Sequence, residues 1–423
     1  MSDWTDMTLD DVAYIQIGGT PSREISAYWA STPDSGFPWV SIADLKENVI
    51  VETKERITEK GILHSNVKPI SAGTLIMSFK LSIGRAALAG VDLYTNEAIA
   101  AIKPKDTRIY SELLYYVLPI VAQNAITDTA VKGATLNKAS LGKLSFRVPS
   151  ECRKQKKIVK ILNTIDRTIA KTEALIEKYQ QIKAGLMHDL FTRGIGADGK
   201  LRSPREEAPE LYQETAIGWI PKEWKIKSLA EACDWYSGGT PSRKNSDYWD
   251  GDVPWLSPKD MKLFELSDTQ EHITRSVTAI SYRIMPKNTV FIVIRGMILA
   301  HSFPVVYSNN EFCFNQNIKA ISGRGNLDNR FLAYWFVSKK SIFLKKTTES
   351  THGTKRFDMK DIYELYIGIP SNDEQNLFIG KLDLISKKLQ LGQSSLDKLQ
   401  RQKSGLMHDL LTGKISVNVN PAP

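Results

Sequence analysis

The chain has 423 residues, an ordinary hydrophobic content of 42% with 24% charged residues, and a net charge of +9. It predicts several soluble domains and mildly favours a polyanionic partner. No apolar run reaches the roughly 18 residues of a membrane span; the most apolar stretch, FIVIRGMILAHSFPVVY from Phe291, carries Arg295 and His301. Cys152, Cys233 and Cys313 stand far apart, which argues against a disulfide framework and a CxxC metal site, and the acidic start MSDWTDMTLDD lacks a secretion signal. A reducing cytoplasm fits.

In chain order, Trp4 and Leu9 lead to the loop GGTPSR (Gly18–Arg23), then SAYW (Ser26–Trp29) and FPWVSIADLK ending at Lys46. GTLIMSF from Gly73 reads as a strand and SELLYYVLPIV from Ser111 as a helix. LSFRVPS (Leu144–Ser150) precedes a proline-free run from Glu151 to Leu190, in which Ile158, Leu162, Ile165, Ile169, Thr172, Ile176 and Tyr179 step by alternating fours and threes. That is a heptad seam. The run ends in KAGLMHDLFT (Lys183–Thr192), and Arg193–Pro221, rich in Gly, Pro and charge, reads as an extended connector.

Then the series begins again. GGTPSR recurs letter for letter at Gly238–Arg243, SDYW at Ser246–Trp249, VPWLSPKDMK up to Lys262, NEAIAAI (Asn96–Ile102) as NQNIKAI (Asn315–Ile321), LSFRVPS as LYIGIPS (Leu365–Ser371) and KAGLMHDLFT as KSGLMHDLLT (Lys403–Thr412). NTVFIVI from Asn288 is the matching strand and NRFLAYWFVS from Asn329 the matching helix. A second seam follows: Phe378, Leu382, Ile385, Leu389, Gly392, Leu396, Leu399, Lys403, Leu406 and Leu410. A repeat near 220 residues is a duplicated domain pair. The expected fold is α+β: two similar α/β domains, 1–150 and 216–370, separated by a pseudo-twofold antiparallel coiled coil of two helices, 151–192 and 371–412. A connector, 193–215, and a flexible tail, 413–423, complete the chain. Helices of roughly 38 residues at about 1.5 Å each would reach near 57 Å, too long to lie on one such domain.

Residues identical in both halves serve a common task. Arg23 and Arg243 in the repeated loop are candidate contacts to DNA phosphate; the alternative is a folding turn with each arginine on a neighbouring carboxylate. Residues that differ are candidates for base reading. Lys80, Arg85, Lys132 and Asn137 in the first half, and Arg295, His352, Lys355 and Arg356 in the second, combine basic and amide side chains with nearby glycines. Arginine and lysine suit guanine edges and asparagine suits adenine; a solvated polar loop is the plain alternative. Met187, His188, Met407 and His408 in the repeated helix ends are candidate partner contacts.

Catalytic patterns are weak. There is no GxxxxGK loop and no adenine-methyltransferase motif. Asp44, Glu52 and Lys54 fall as D…ExK, but the second copy has Asp260, Asp268 and Gln270. His188–Asp189 and His408–Asp409 lack further metal ligands at a clear spacing, so no metal site is expected.

The duplicated GGTPSR loop, the heptad helices, the paired GLMHDLFT/GLMHDLLT ends and ETAIGWIPKEWK at the entry to the second half resemble the specificity subunit of Type I restriction-modification enzymes. The resemblance runs over nearly the whole chain and implies two target-recognition domains joined by helices packed as an antiparallel coiled coil. It implies no catalysis and no cofactor in this chain. It implies double-stranded DNA, methyltransferase subunits (two) and restriction/translocase subunits as partners, which supply S-adenosylmethionine, ATP and Mg chemistry, and an asymmetric bipartite target. A coiled-coil scaffold binding proteins without a DNA role is the alternative.

Overall fold

The computed structural model describes residues 3–32, 35–127, 136–278, 283–349 and 354–419. The fold is α+β, and the chain divides into two compact units, Met1–Ala174 with Ser394–Pro423, and Leu175–Gln393.

In the first unit a five-stranded sheet runs in the order Ala13–Ile17, Ile99–Pro104, Leu75–Ser78, Ala86–Ala89, Val49–Ile50. Neighbours are antiparallel except the last pair. The run GTLIMSF is apolar throughout because both faces of its strand are covered. Leu75 and Met77 pack with Leu113, Leu114 and Val117 of the helix Ser111–Thr127, whereas Ile76 points the other way, toward Val40, Ile50 and Ala101. That is the two-residue period of a pleated strand. The second unit repeats this plan with Cys233–Ser237, Ile318–Gly323, Val290–Val293, Val305–Ser308 and Glu265–Leu266, and with helix Asn329–Ser338.

In each unit a strand next to the long helix pairs with an early strand, Trp4–Thr8 with Ser145–Pro149 and Lys225–Ser228 with Tyr366–Ile369. The strands end at Pro149 and Ile369, and the long helices Cys152–Arg193, of 42 residues, and Asn372–Leu411, of 40, follow. Gly194, at φ +67°, terminates the first, its N–H reaching the Leu190 carbonyl at 3.1 Å, as left-handed glycine caps do. Within the first unit the helix segments run antiparallel. Lys403 Nζ lies 2.6 Å from Asp166, and Leu410 enters the core beside Ile158 and Leu162. In the second unit Ile176 meets Gly392, Lys183 donates to Ser386 Oγ at 2.8 Å and the rings of Phe191 and Phe378 are 5.7 Å apart, again antiparallel. The seam residues Ile158, Leu162, Ile176, Phe378, Leu382, Ile385 and Leu396 are buried, and Ile165, Ile169, Tyr179, Leu389 and Leu399 half-buried. Gly392 suits its place: a Cβ there would sit against the Ile176 side chain.

The segment expected as an extended connector is folded instead. Ile195 and Leu201 form a bridge, Tyr212–Thr215 pairs with Gly218–Pro221 as a hairpin, and Ile195, Tyr212, Ile220 and Trp224 are buried in the second unit. Arg202 inserts between Glu374 (2.6 Å) and Glu223 (2.5 Å). Composition suggested flexibility, but the spaced apolar residues and the arginine supply the burial and charge pairing that hold it. The tail also departs from expectation in part: Ile415 N–H reaches the Asp409 carbonyl at 3.1 Å and Val417 packs on the first unit's core; residues 420–423 lie outside the described set.

Candidate nucleic-acid interface

The repeated loop builds the same device twice. A Cβ at Gly18 would collide with the Thr95 carbonyl, and one at Gly238 with that of Phe314, so only glycine lets the loop lie against the strand beside it. Gly19 N–H then bonds Thr95 O and Gly239 N–H bonds Phe314 O, both at 2.8 Å. Trp39 Nε1 donates to Gly19 O at 2.9 Å and Trp255 Nε1 to Gly239 O at 3.0 Å, while Trp29 and Trp249 donate to the Ser22 and Ser242 carbonyls. Arg23 lies 3.8 Å from the Trp29 ring and pairs with Glu55; Arg243 lies 3.6 Å from Trp249 and pairs with Glu271. Hydrogen bonding to these carboxylates raises both arginine pKa values, and the Arg243 bond holds Glu271 below the usual carboxylate range. Each arginine side chain is about half exposed, so the clasp orders the loop while its arginine remains partly open to solvent.

Asp44 is likewise committed. Its carboxylate accepts from Ser41 N–H and Oγ–H at 2.8 and 2.6 Å and from Lys54 N–H at 3.0 Å. Asp260 does the same with Ser257 and Gln270 N–H. The contact to position 54 or 270 is through the backbone, so lysine and glutamine serve alike, and the D…ExK pattern is a turn lock. Among the described residues no group of three His, Cys, Asp or Glu is placed to hold a metal ion.

Among the described residues the divergent segments expose Leu81, Arg85, Asn137, Arg295, Met297 and Arg356 at loop tips, with Lys80 half-buried. In the first unit Lys80 and Arg85 flank a loop tied at its base by Ser78, whose hydroxyl donates to Ser82 O at 2.7 Å and whose N–H meets Arg85 O at 2.8 Å. Leu81 and Ser82 are both at φ 42°, and Leu81 is 74% exposed. Asn137 caps the helix Lys138–Gly142, its side-chain oxygen accepting Ser140 N–H at 2.8 Å. Lys132 and His352 lie outside the described residues. In the second unit the structure brings two distant segments together. Gly296 N–H bonds Lys355 O at 2.9 Å, Phe357 N–H bonds Ile294 O at 3.0 Å, and Arg295 and Arg356 are antiparallel bridge partners. Lys355 is paired with Glu349 at 2.6 Å. Met297, beside Arg295, is 62% exposed.

Two anchors escaped the sequence reading. Gln155 Nε2 donates to Arg108 O and Pro149 O at 2.9 and 2.8 Å, and its Oε1 accepts Tyr110 N–H at 2.8 Å. Gln375 repeats this with Asn326 O, Pro370 O and Asp328 N–H. Tyr116 and Tyr334 donate to Asp166 and Asp383, at 2.7 and 2.6 Å. Each buried amide and phenol fastens the first turns of a long helix to its lobe. The shared glutamine and tyrosine positions were the available signal.

The candidate partner contacts differ in exposure. Met187 is buried in the second unit's core and Met407 half-buried in the first, whereas His188 and His408 are exposed. Met407 and Leu411, with Val117, Ile120, Val121 and Ile169, line an apolar groove of ≈730 Å³; its counterpart beside Met187 and Phe191 is ≈260 Å³ and includes Lys339.

The family model described as the Type I restriction modification DNA specificity domain matches residues 1–181 and again 221–401. The chain belongs to this family. Type I specificity-domain proteins similar to it include the Type I restriction enzyme EcoR124I/EcoR124II specificity subunit of Escherichia coli, 26% identical over 212 residues, covering 49% of this chain and 52% of the relative. The MjaIX specificity subunit of Methanocaldococcus jannaschii is 31% identical over 185 residues, 42% of each chain. The chain therefore spans about half the length of these curated relatives it matches. Among solved structures, the Type I restriction-modification system S subunit from M. genitalium shares the fold at TM-score 0.60 and 15% identity, covering 96% of both chains. Within this chain the clasp is duplicated, whereas the residues at the loop tips differ between the two copies.

Proposed function

We propose that this chain is the DNA sequence-recognition subunit of a Type I restriction-modification complex, without catalysis of its own. Each lobe reads one half of an asymmetric bipartite site in the major groove. The observation that carries this reading is the pairing of one scaffold, the Arg–Trp–Glu clasp, with two different tips: Lys80, Leu81 and Arg85 in one unit, Arg295, Met297 and Arg356 in the other. A common scaffold with unlike basic tips suits two unlike half-sites, because phosphate contacts position and base contacts specify.

Partner subunits supply adenine methylation and ATP-dependent restriction, with S-adenosylmethionine, ATP and Mg bound there, and the complex works in the cytoplasm on double-stranded DNA. Two methyltransferase subunits dock on the helix faces. Supporting this, Leu377, Leu384 and Leu391 stand exposed at seven-residue spacing off the seam, at 42%, 60% and 62%. A row of that kind suits another helix.

The test is domain exchange. Replacing residues 1–150 by the matching segment of another specificity subunit and sequencing the methylated bases of the host changes one half of the motif only. If both halves change, or neither does, the modular reading fails.

A further inference from the structure

Arg295 and Arg356 are directly opposite each other across an antiparallel bridge. Bridge partners share a face, with Cβ atoms roughly 5 Å apart, and like charges so placed repel. Their neighbours alternate as a strand pair requires: Phe357 is buried and Ile294 half-buried, while both arginines are exposed. Among the described residues neither guanidinium has a carboxylate partner, although Lys355, one position away, is paired with Glu349. A fold that neutralises the lysine and leaves two facing arginines bare is arranged for an anion or an acceptor-rich edge outside the chain.

The two positions are not alike in the repeat. Ile294 N–H bonds Asn317 O and Phe79 N–H bonds Ala98 O, which aligns Arg295 with Lys80: basic in both halves. Counting back from the helix caps Asp358 and Asn137, Arg356 aligns with Thr135 in the sequence. One site is common to both copies and the other belongs to the second alone. Resting on the DNA-recognition reading above, we propose that Arg356 reads a guanine in the half-site of the second unit, with its fork on O6 and N7, while Arg295, like Lys80, holds a backbone phosphate. Arginine on guanine is the commonest specific contact of this kind, and a positive charge common to both copies suits the phosphate, which is the same along any duplex. Met297 beside them offers an apolar surface to a neighbouring base.

The experiment uses the full chain in its host with its own partner subunits, reading methylated motifs genome-wide, and the purified complex binding a duplex of that motif across a salt series. The expected result for Arg356→Ala and Arg356→Thr is relaxation of a single position, guanine in the unaltered motif, within the half that survives exchange of residues 1–150. Discrimination there falls on the order of 10- to 100-fold. Arg295→Ala keeps every letter of the motif, weakens binding to all sequences, and reduces the slope of log affinity on log salt by about 1. The proposal is overturned if Arg356→Thr lowers methylation of all sites equally with no letter relaxed, if the relaxed position is not guanine, or if it falls in the other half-site. Unchanged methylation of the first half-site position by position shows that the variants fold; complete loss with Arg356→Lys as well as Arg356→Thr also counts against it. An unaltered chain that directs no bipartite methylation sinks the recognition reading itself, a separate outcome.

Discussion

Glu374→Ala tests how the segment between the two halves is held. Glu374 is 6% exposed and accepts four contacts: Ile195 N–H at 2.7 Å, Trp224 Nε1–H at 3.2 Å, and both ends of the Arg202 guanidinium at 2.6 and 3.2 Å. Burial opposes the charge on Arg202, and bonding to Glu374 and Glu223 more than offsets it, so its pKa is raised. Removing the carboxylate strips a buried charge of its main partner and leaves two N–H donors without an acceptor. The Coulomb attraction is about 4 kcal/mol at an effective dielectric near 20, and breaking one side of a buried pair costs about 3–5 kcal/mol. Glu223, itself largely exposed, keeps part of the guanidinium satisfied, which favours the lower end. For a unit of this size about 3–4 kcal/mol lowers the melting temperature by roughly 6–16 °C. Scanning calorimetry of the full chain reads this as a shift of the second unit's transition. The double replacement Arg202→Met with Glu374→Met recovers part of the loss, since no charge is then stranded, while the Ile195 and Trp224 N–H groups still lack their acceptor. A single-variant loss below about 1 kcal/mol, or a double variant no better than the single, refutes the argument.

Two further outcomes concern titration. The depressed pKa of Glu271 contributes stability that is present above its unfolded value near 4.3 and is lost as pH falls through the lower folded value. The stability gap between the native chain and Arg243→Ala is therefore present at about pH 6 and closes below about pH 4; a gap that widens in acid contradicts the clasp. Burial pushes the Cys233 and Cys313 thiols up to about 12, so neither reacts with an alkylating agent at about pH 8 until the chain unfolds. Labelling of either in the native protein, located by mass spectrometry, contradicts the packing.

The duplication, the strands at GTLIMSF and NTVFIVI, the lobe helices and both heptad seams were written in the chain, because periodicity and repetition are local records of burial. The polar interruptions of the second seam were explained only by the fold: Gly392 sits against Ile176, and Lys403 meets Asp166. The family could be named from the order of its motifs. Tertiary structure decided the rest. The sequence left Arg23 and Arg243 open between phosphate contact and a folding turn with each arginine on a carboxylate; only the fold named the carboxylates, Glu55 and Glu271, 32 and 28 residues along the chain. Arg295 and Arg356 became a pair only because a bridge joins segments some sixty positions apart. Residues 193–221 read as an extended connector because glycine, proline and charge dominate any window, yet burial of Ile195, Tyr212 and Ile220 and a buried carboxylate, Glu374, supplied from over 150 residues away, hold that segment in place. Composition records how easily a segment bends, and only the partners the fold brings to it decide whether it is held.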